Sequence, residues 1–298
     1  MSLLRRAFAS MGCPCSIQVE HPDPRLAAQA VDAAVAEVHR LDRKYSHYRE
    51  DSLLAAWCAS AGHGQWLELD AESAALLDLA ALLHAQSDGR FDITTGALTR
   101  LWDRPQGGLP SAEEIEAARQ RAGWHQLDWR RPQLRLRLPG LRLDLGGLVK
   151  EYAADRAAQA CIDRGIGAGV VELGGDVRVI GAHPDGSPWR VGIRHPRVAG
   201  ALASIAIADG GLATSGDYER AVLVDGRRYG HIVDPRTGWP IESFASVSVR
   251  APSCLAAGAA ATLAMLLGPE AGADYLRELG LPYLSVDGAG AVAGDLQG

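Results

Sequence analysis

Lysine is nearly missing from this chain: only Lys44 and Lys150 stand among its 30 basic residues, the others being arginine. Beside 34 glycines and abundant alanine, this scarcity is a composition bias and not a functional signal, but it sets Lys150 apart. No Lys/Arg cluster occurs and the net charge is −6, which argues against a nucleic-acid-binding surface. Cysteine is scarce and odd in number. Cys13, Cys15, Cys58, Cys161 and Cys254 fit neither a metal site nor a disulfide framework. Reduced thiols in a reducing compartment are expected, with Cys13 and Cys15 on one side of a strand. The longest apolar run, Leu255 to Gly268, falls short of the ~20 residues of a membrane-spanning helix. No apolar core follows Arg5 and Arg6, so no signal peptide is visible. A cytoplasmic protein is expected, or a periplasmic one if a leader has been removed.

What remains is the composition of a globular chain: 298 residues, 47% apolar and 22% charged. Helical periodicity predicts helices over 25–46 and 71–86, the second stopping at Asp88-Gly89. Ser111-Ala-Glu-Glu114 is a capping box that opens a third. The period then changes to two. Gln133 to Leu138 alternates and Leu141 to Leu145 continues it, predicting a hairpin around Pro139-Gly140. Gly12 to Glu20 reads as the first strand. After a helix at 148–164, short strands are expected at 170–173, 177–180, 189–194, 202–208, 221–224 and 246–250. Helices at 254–267 and 269–279 and a strand at 283–286 follow. Strands and helices mix without β-α-β alternation, which favours an α+β fold over a doubly wound one.

Two stretches concentrate chemistry. Leu143-Asp-Leu-Gly-Gly-Leu-Val-Lys-Glu-Tyr-Ala-Ala-Asp155 reads as strand, glycine pair, then helix, with Val149, Tyr152, Ala153 and Ala160 on one helical face. Its glycines permit close backbone approach and its helix start can receive an anion. It is either a phosphate or metal cradle or a tight turn with a cap. Gly230-His-Ile-Val-Asp-Pro-Arg-Thr-Gly238 groups an imidazole, a carboxylate and a guanidinium in a turn-rich segment. His231, near neutral pKa when unperturbed, is the candidate base. In Gly89-Arg-Phe-Asp-Ile-Thr-Thr-Gly96, Asp92, Thr94 and Thr95 could bond a ribityl or ribose, although an Asx/Thr turn explains them as well. Leu173-Gly-Gly-Asp176 and Ala213-Thr-Ser-Gly-Asp-Tyr218 place small polar residues near strand ends, or are simply loops.

In order and spacing these blocks, with Met11-Gly12, Ser46-His-Tyr48 and Ala257 to Thr262, resemble the ApbE-type FAD:protein FMN transferases. The resemblance spans residues 11 to 268. It implies one α+β domain over 1–298, with mixed and antiparallel sheets and two lobes around a flavin cleft. It implies cleavage of FAD at its pyrophosphate, Mg²⁺ assistance, release of AMP and transfer of FMN to a Thr or Ser hydroxyl of an acceptor protein. Phosphoryl transfer asks for charge neutralisation and in-line positioning, which suits these residue types. Carried over, Met11, Tyr48, Arg90, Phe91, Asp92, Asp144, Lys150 and Ile232 match flavin- or adenine-contacting positions. His231 matches the base. Gly147 through its carbonyl, position 258 and the Thr262 hydroxyl match the metal ligands.

One departure stands out. The family reads Ala-Asp-x-x-x-Thr where this chain reads Ala257-Gly-Ala-Ala-Ala-Thr262, so Gly258 takes the place of the metal-ligating aspartate. Hard cations depend on charged oxygen ligands. Glu151 and Glu172, unusual acids in neighbouring motifs, are the two candidate replacements. The departure also motivates two other expectations: a FAD-binding protein without turnover, and a FAD pyrophosphatase that uses water as acceptor.

Overall fold

The computed structural model describes residues 2–103, 108–218 and 221–296. The chain opens with a hairpin of β1 (Ser2–Ser10) and β2 (Cys13–His21). Then come α1 (Pro24–Tyr45), α2 (Leu53–Ala59), β3 (Leu67–Glu68), α3 (Ala71–Gln86), α4 (Gly96–Trp102) and α5 (Ala112–Arg119). A second hairpin, β4 (Leu127–Arg130) and β5 (Gln133–Leu136), leads to the long α6 (Gly146–Ile162). The strands β6 (Gly169–Leu173), β7 (Asp176–Ile180), β8 (Trp189–Arg194), β9 (Ala201–Ile207), β10 (Gly210–Gly216), β11 (Ala221–Val224), β12 (Arg227–Gly230) and β13 (Phe244–Ala251) follow. The chain closes with α7 (Cys254–Leu267), α8 (Pro269–Glu278), β14 (Tyr283–Asp287) and β15 (Val292–Gly294). The fold is α+β, as the element pattern predicts.

The frame is an eight-stranded sheet of order β1-β2-β6-β7-β10-β13-β14-β15, antiparallel at every pairing. Strand alternation gives it two faces. Ile17, Val19, Val171, Leu173 and Ala213 point toward α1, α6 and α7 and form the main core with them. Val170, Val177, Val179 and Leu212 point the other way, onto the β8–β9 hairpin. A third cluster packs β13 against α7 and α8. A fourth joins α4 and α5 to Tyr229 and Val233, and so fixes the segment after β12. Among the described residues no helix is long and apolar enough to cross a membrane.

The helices start where their caps place them. Asp23, Ser52, Asp70 and Ser253 each accept a backbone N–H of the first turn, and the capping box at Ser111–Glu114 is formed on both sides. Three expectations are corrected. Gly12 to Glu20 is the second strand, because β1, with alternating burial, precedes it. The hairpin turns at Arg131-Pro132, not at Pro139-Gly140. Leu141, Leu143 and Leu145 are buried as their alternation predicts, but they run beside 93–96: the Asp144 N–H bonds the Ile93 carbonyl at 2.7 Å, and Thr95 bridges Arg142. Residues 210–216 form a strand where a loop reads equally well. A side chain at Gly211 would strike the Ser253–Cys254 backbone, so the small residues of β10 serve the close approach of α7.

Candidate functional site

The two motif stretches meet around the first turns of α6. Asp144 lies just before the helix. Its Oδ1 accepts the Gly146 N–H at 2.7 Å and lies 3.1 Å from His47 Nδ1, and its Oδ2 accepts Thr99 Oγ1 at 3.0 Å. Burial alone would raise its pKa, but the His47 contact and the Gly146 and Thr99 donors outweigh it and bring the group down to about 2. Asp144 is a fixed anion. Gly147, next along, has no Cβ to push against Phe91, whose ring edge would lie 3.4 Å from one. The backbone at the helix start and the Phe91 ring therefore share one surface.

The Gly89–Gly96 segment is held from within. Asp88 and Gly89 take positive φ, as a tight helix exit requires. Asp92 Oδ1 accepts Thr94 N and Oγ1, and its Oδ2 accepts Trp124 N at 2.9 Å. Both oxygens of Asp92 are thus occupied inside the protein, and the Asx/Thr-turn reading describes its side chain. His84 Nδ1 lies 3.0 Å from the Phe91 carbonyl and its ring stacks on Trp124, a positioning role that its sequence context does not reveal. Arg90 bonds the Ser87 carbonyl and lies near enough to Asp234 to help depress that carboxylate.

The 231–238 loop docks beside these elements through α4, where Trp102 Nε1 donates to the Gly238 carbonyl at 3.0 Å. Asp234, close to His231 in sequence, faces Arg236. It is spent on Arg236, accepting Nη2 at 2.5 Å and the Arg236 backbone N–H at 2.9 Å. Burial opposes ionisation of Asp234, but this guanidinium holds its pKa below the usual carboxylate value. His231 follows β12 directly, behind Gly230, which packs on Asp217. Ile232 packs between the main core and the α7–α8 cluster. Tyr48 is exposed and donates to Asp103 Oδ2 at 2.6 Å, and Met11, at positive φ, donates its N–H to Asp42 at 3.0 Å. His47, in the Ser46-His-Tyr48 block, is a partner of Asp144 that the sequence does not reveal, because the pairing spans 97 residues and leaves no local pattern.

A second polar cluster lies under α6 and α7. Lys150 Nζ pairs with Asp176 Oδ2 at 2.6 Å, and Asp176 Oδ1 accepts the Thr214 N–H at 2.9 Å. Glu151 is 6% exposed, and its Oε2 is buried with no hydrogen-bond partner among the described residues. Burial first, and the Asp176 carboxylate second, push Glu151 up to about 8. A Cβ on Gly258 would lie 2.9 Å from Glu151 Cδ and 3.0 Å from Oε1, so Glu151 occupies the space that a side chain at 258 would need. Thr262, one turn further along α7, bonds Ser215 Oγ at 2.7 Å. Glu172 points elsewhere. It accepts Ser16 Oγ at 3.0 Å and lines a cleft of ≈ 340 Å³ on the opposite face of the sheet with Trp189, Arg190 and Thr214.

Fold and site together define a class: an α+β protein in which the core helix α6 starts on an aspartate turn and runs into a buried acidic pair. Within that class the chain belongs to the ApbE family, which it matches over residues 11–284. It is 33% identical over 270 residues to the FAD:protein FMN transferase of Escherichia coli K12, across 87% of this chain and 77% of that one. To the FAD:protein FMN transferase of Klebsiella pneumoniae it is 35% identical over 269 residues, across 85% and 76%. Among solved structures, the ApbE protein of Thermotoga maritima aligns at TM-score 0.89 and 30% identity, over 99% of this chain and 97% of that one. The flavin transferase ApbE of Vibrio cholerae aligns at 0.86 and 28%, over 99% and 97%.

Proposed function

We propose that this protein, as one domain over residues 1–298, transfers FMN from FAD to a Thr or Ser hydroxyl of an acceptor protein and releases AMP. The observation that carries the reading is the build of α6. Its start is a glycine turn held by Asp144 and open to close approach, and its second turn carries a buried carboxylate oxygen with no hydrogen-bond partner among the described residues. A pyrophosphate suits the first, since anions are stabilised at helix N-termini. An oxygen-seeking cation suits the second.

In this reading Met11, Tyr48, Arg90 and Phe91 flank the flavin and adenine, with Ile232 beside them. Asp92 keeps the Phe91 turn in shape through Thr94 and Trp124. Asp144, fixed by His47 and Thr99, sets the glycine turn against the pyrophosphate. Lys150, held by Asp176, adds positive charge one helical turn away. His231 takes the proton of the acceptor hydroxyl. That oxygen attacks the phosphorus on the FMN side, the P–O–P link breaks, and AMP leaves with the bridging oxygen. Mg²⁺ would neutralise the pyrophosphate charge. The Gly147 carbonyl and Thr262 hydroxyl would hold it, and although Gly258 has no side-chain donor, the Glu151 carboxyl beside it, with Oε2 unsatisfied among the described residues, keeps the donor set suitable for a hard dication.

The test incubates the protein with FAD, with and without Mg²⁺, and with a peptide carrying an acceptor threonine. The expected result is a metal-dependent mass gain on the peptide equal to FMN minus water, with AMP in solution. Intact FAD and no AMP would identify a flavin binder instead. FMN and AMP with no adduct would identify a pyrophosphatase. Substituting His231→Ala is expected to slow transfer by about 10²–10⁴-fold with FAD binding retained, the loss typical of a removed general base.

A further inference from the structure

Helices α6 and α7 run antiparallel along a shared seam. Asp155 on α6 caps α7 by accepting Cys254 N at 2.8 Å and Leu255 N at 2.9 Å. One turn earlier on α6, Glu151 lies against Gly258, one turn later on α7. The same step taken once more brings Gly147 opposite Thr262, because residues four apart share a helix face. The seam therefore carries a main-chain carbonyl, a carboxylate and a hydroxyl in succession.

The carboxylate is the unusual member. Glu151 is 6% exposed and its Oε2 has no hydrogen-bond partner among the described residues. A buried carboxylate oxygen left in this state is costly. Nearby stand one other carboxylate, Asp176, and one cation, Lys150, already paired with it at 2.6 Å. With both carboxyls ionised, two negative charges would face one ammonium, so either a proton on Glu151 or a bound cation must balance the group. Gly258 is what lets Glu151 lie here, since even a methyl at 258 would collide with the Glu151 side chain. The pair is thus a matched exchange. α7 has given up its side chain at 258, and α6 supplies a longer acid that reaches the same space.

We propose that Glu151 is a divalent-cation ligand of this protein, standing in for the side chain that Gly258 lacks. The proposal rests on the transferase reading only for the role of the cation. Glu172, the other candidate, is excluded because strand alternation turns it to the opposite face of the sheet, with Ser16. Among the described residues no three His, Cys, Asp or Glu side chains converge. A site here uses one or two carboxylates with hydroxyl, carbonyl, water and phosphate oxygens, which is the usual habit of Mg²⁺.

The test measures Mn²⁺ uptake by the electron paramagnetic resonance of the free aquo ion, with and without FAD. Wild type is expected to take up one ion. The near-isosteric Glu151→Gln is expected to weaken uptake by about 100-fold, the loss of the one charged oxygen at a hard-cation site. The double variant Glu151→Ala/Gly258→Asp returns the acid to α7 and removes the atoms it would strike. It is expected to recover affinity to within about tenfold of wild type. Circular dichroism confirms that each variant is folded. Wild-type affinity in Glu151→Gln, or no uptake by wild type in either condition, would overturn the proposal. Mn²⁺ uptake needs no acceptor and no turnover. A protein that binds Mn²⁺ through Glu151 but never modifies a peptide refutes the transferase reading alone. One that modifies the peptide with Mn²⁺ affinity indifferent to Glu151 refutes this proposal alone.

Discussion

Two acids mark the beginning of α6, Asp144 just before it and Glu151 in its second turn, and their surroundings drive them in opposite directions. Asp144 is met by His47, Thr99 and the Gly146 N–H, and these overcome its burial and hold it ionised down to about pH 2. Glu151 is buried beside Asp176, its Oε2 without a hydrogen-bond partner among the described residues, and keeps its proton up to about pH 8. One helix start, one chemical group, and yet one acid is charged and the other neutral at pH 7: donors within reach decide the outcome, not depth alone. The first acid is a finished structural part. The second has capacity left over, and under the proposal that capacity takes a cation.

The comparison can be broken most forcefully at Gly258. Replacing it with Asp while leaving Glu151 in place forces a side chain into occupied space and adds a third acid to the cluster. Stability should fall by on the order of 4 kcal/mol, combining overpacking with an unpaired buried charge, read as a shift of the urea midpoint. Next comes Asp144→Asn. The depressed pKa of Asp144 means that its contribution is present above the unfolded-state value of 3.8 and is lost as pH falls toward about 2. The variant should therefore be less stable than wild type by roughly 2 kcal/mol at pH 7, with the gap closing in acid.

Glu151→Gln should show the opposite sign. With its folded-state pKa raised, Glu151 favours folding only at low pH, and the protein loses that contribution as pH rises from about 4.5 to about 8. In EDTA the variant should be more stable than wild type by roughly 1–2 kcal/mol at pH 9, after allowing for relaxation around the buried group. The two proteins should converge below pH 4. A Gln variant less stable than wild type at pH 9 would mean that Glu151 is well solvated or donor-paired. The smallest effect belongs to Glu172→Gln. It weakens one hydrogen bond to Ser16, at about 0.5–1 kcal/mol, and should leave Mn²⁺ uptake untouched.

How much of this was legible beforehand follows from where each signal lies. α7 and β8 can be read to the residue, because an uninterrupted apolar run with a Ser253 cap and a clean alternation are local patterns. The α6 glycine turn and the resemblance that surrounds it are equally local. What failed was partner choice. Leu141 to Leu145 alternates as a strand should, but nothing local says that it will lie beside Ile93–Gly96 in place of β5. β10 escaped because Gly210–Gly216 is too small and polar to look like a buried strand; its composition answers to the backbone of α7. At the site, the sequence offers two equal acids in Glu151 and Glu172. Only the tertiary structure separates them: the face of α6 turns Glu151 toward α7, and the pleat of the sheet turns Glu172 toward Ser16. Asp234 teaches the same lesson in reverse: next to His231 in sequence, it is committed to Arg236 in space.

The most direct measurement is a crystal of the protein soaked with Mn²⁺ and FAD, with the ion located by its anomalous scattering. The account predicts one peak in the α6–α7 seam, bonded to a Glu151 oxygen and to Thr262 at about 2.0–2.3 Å, near the distances of a small hard dication. A peak bound elsewhere, with Glu151 still folded against Gly258 and making no bond to it, would contradict the account.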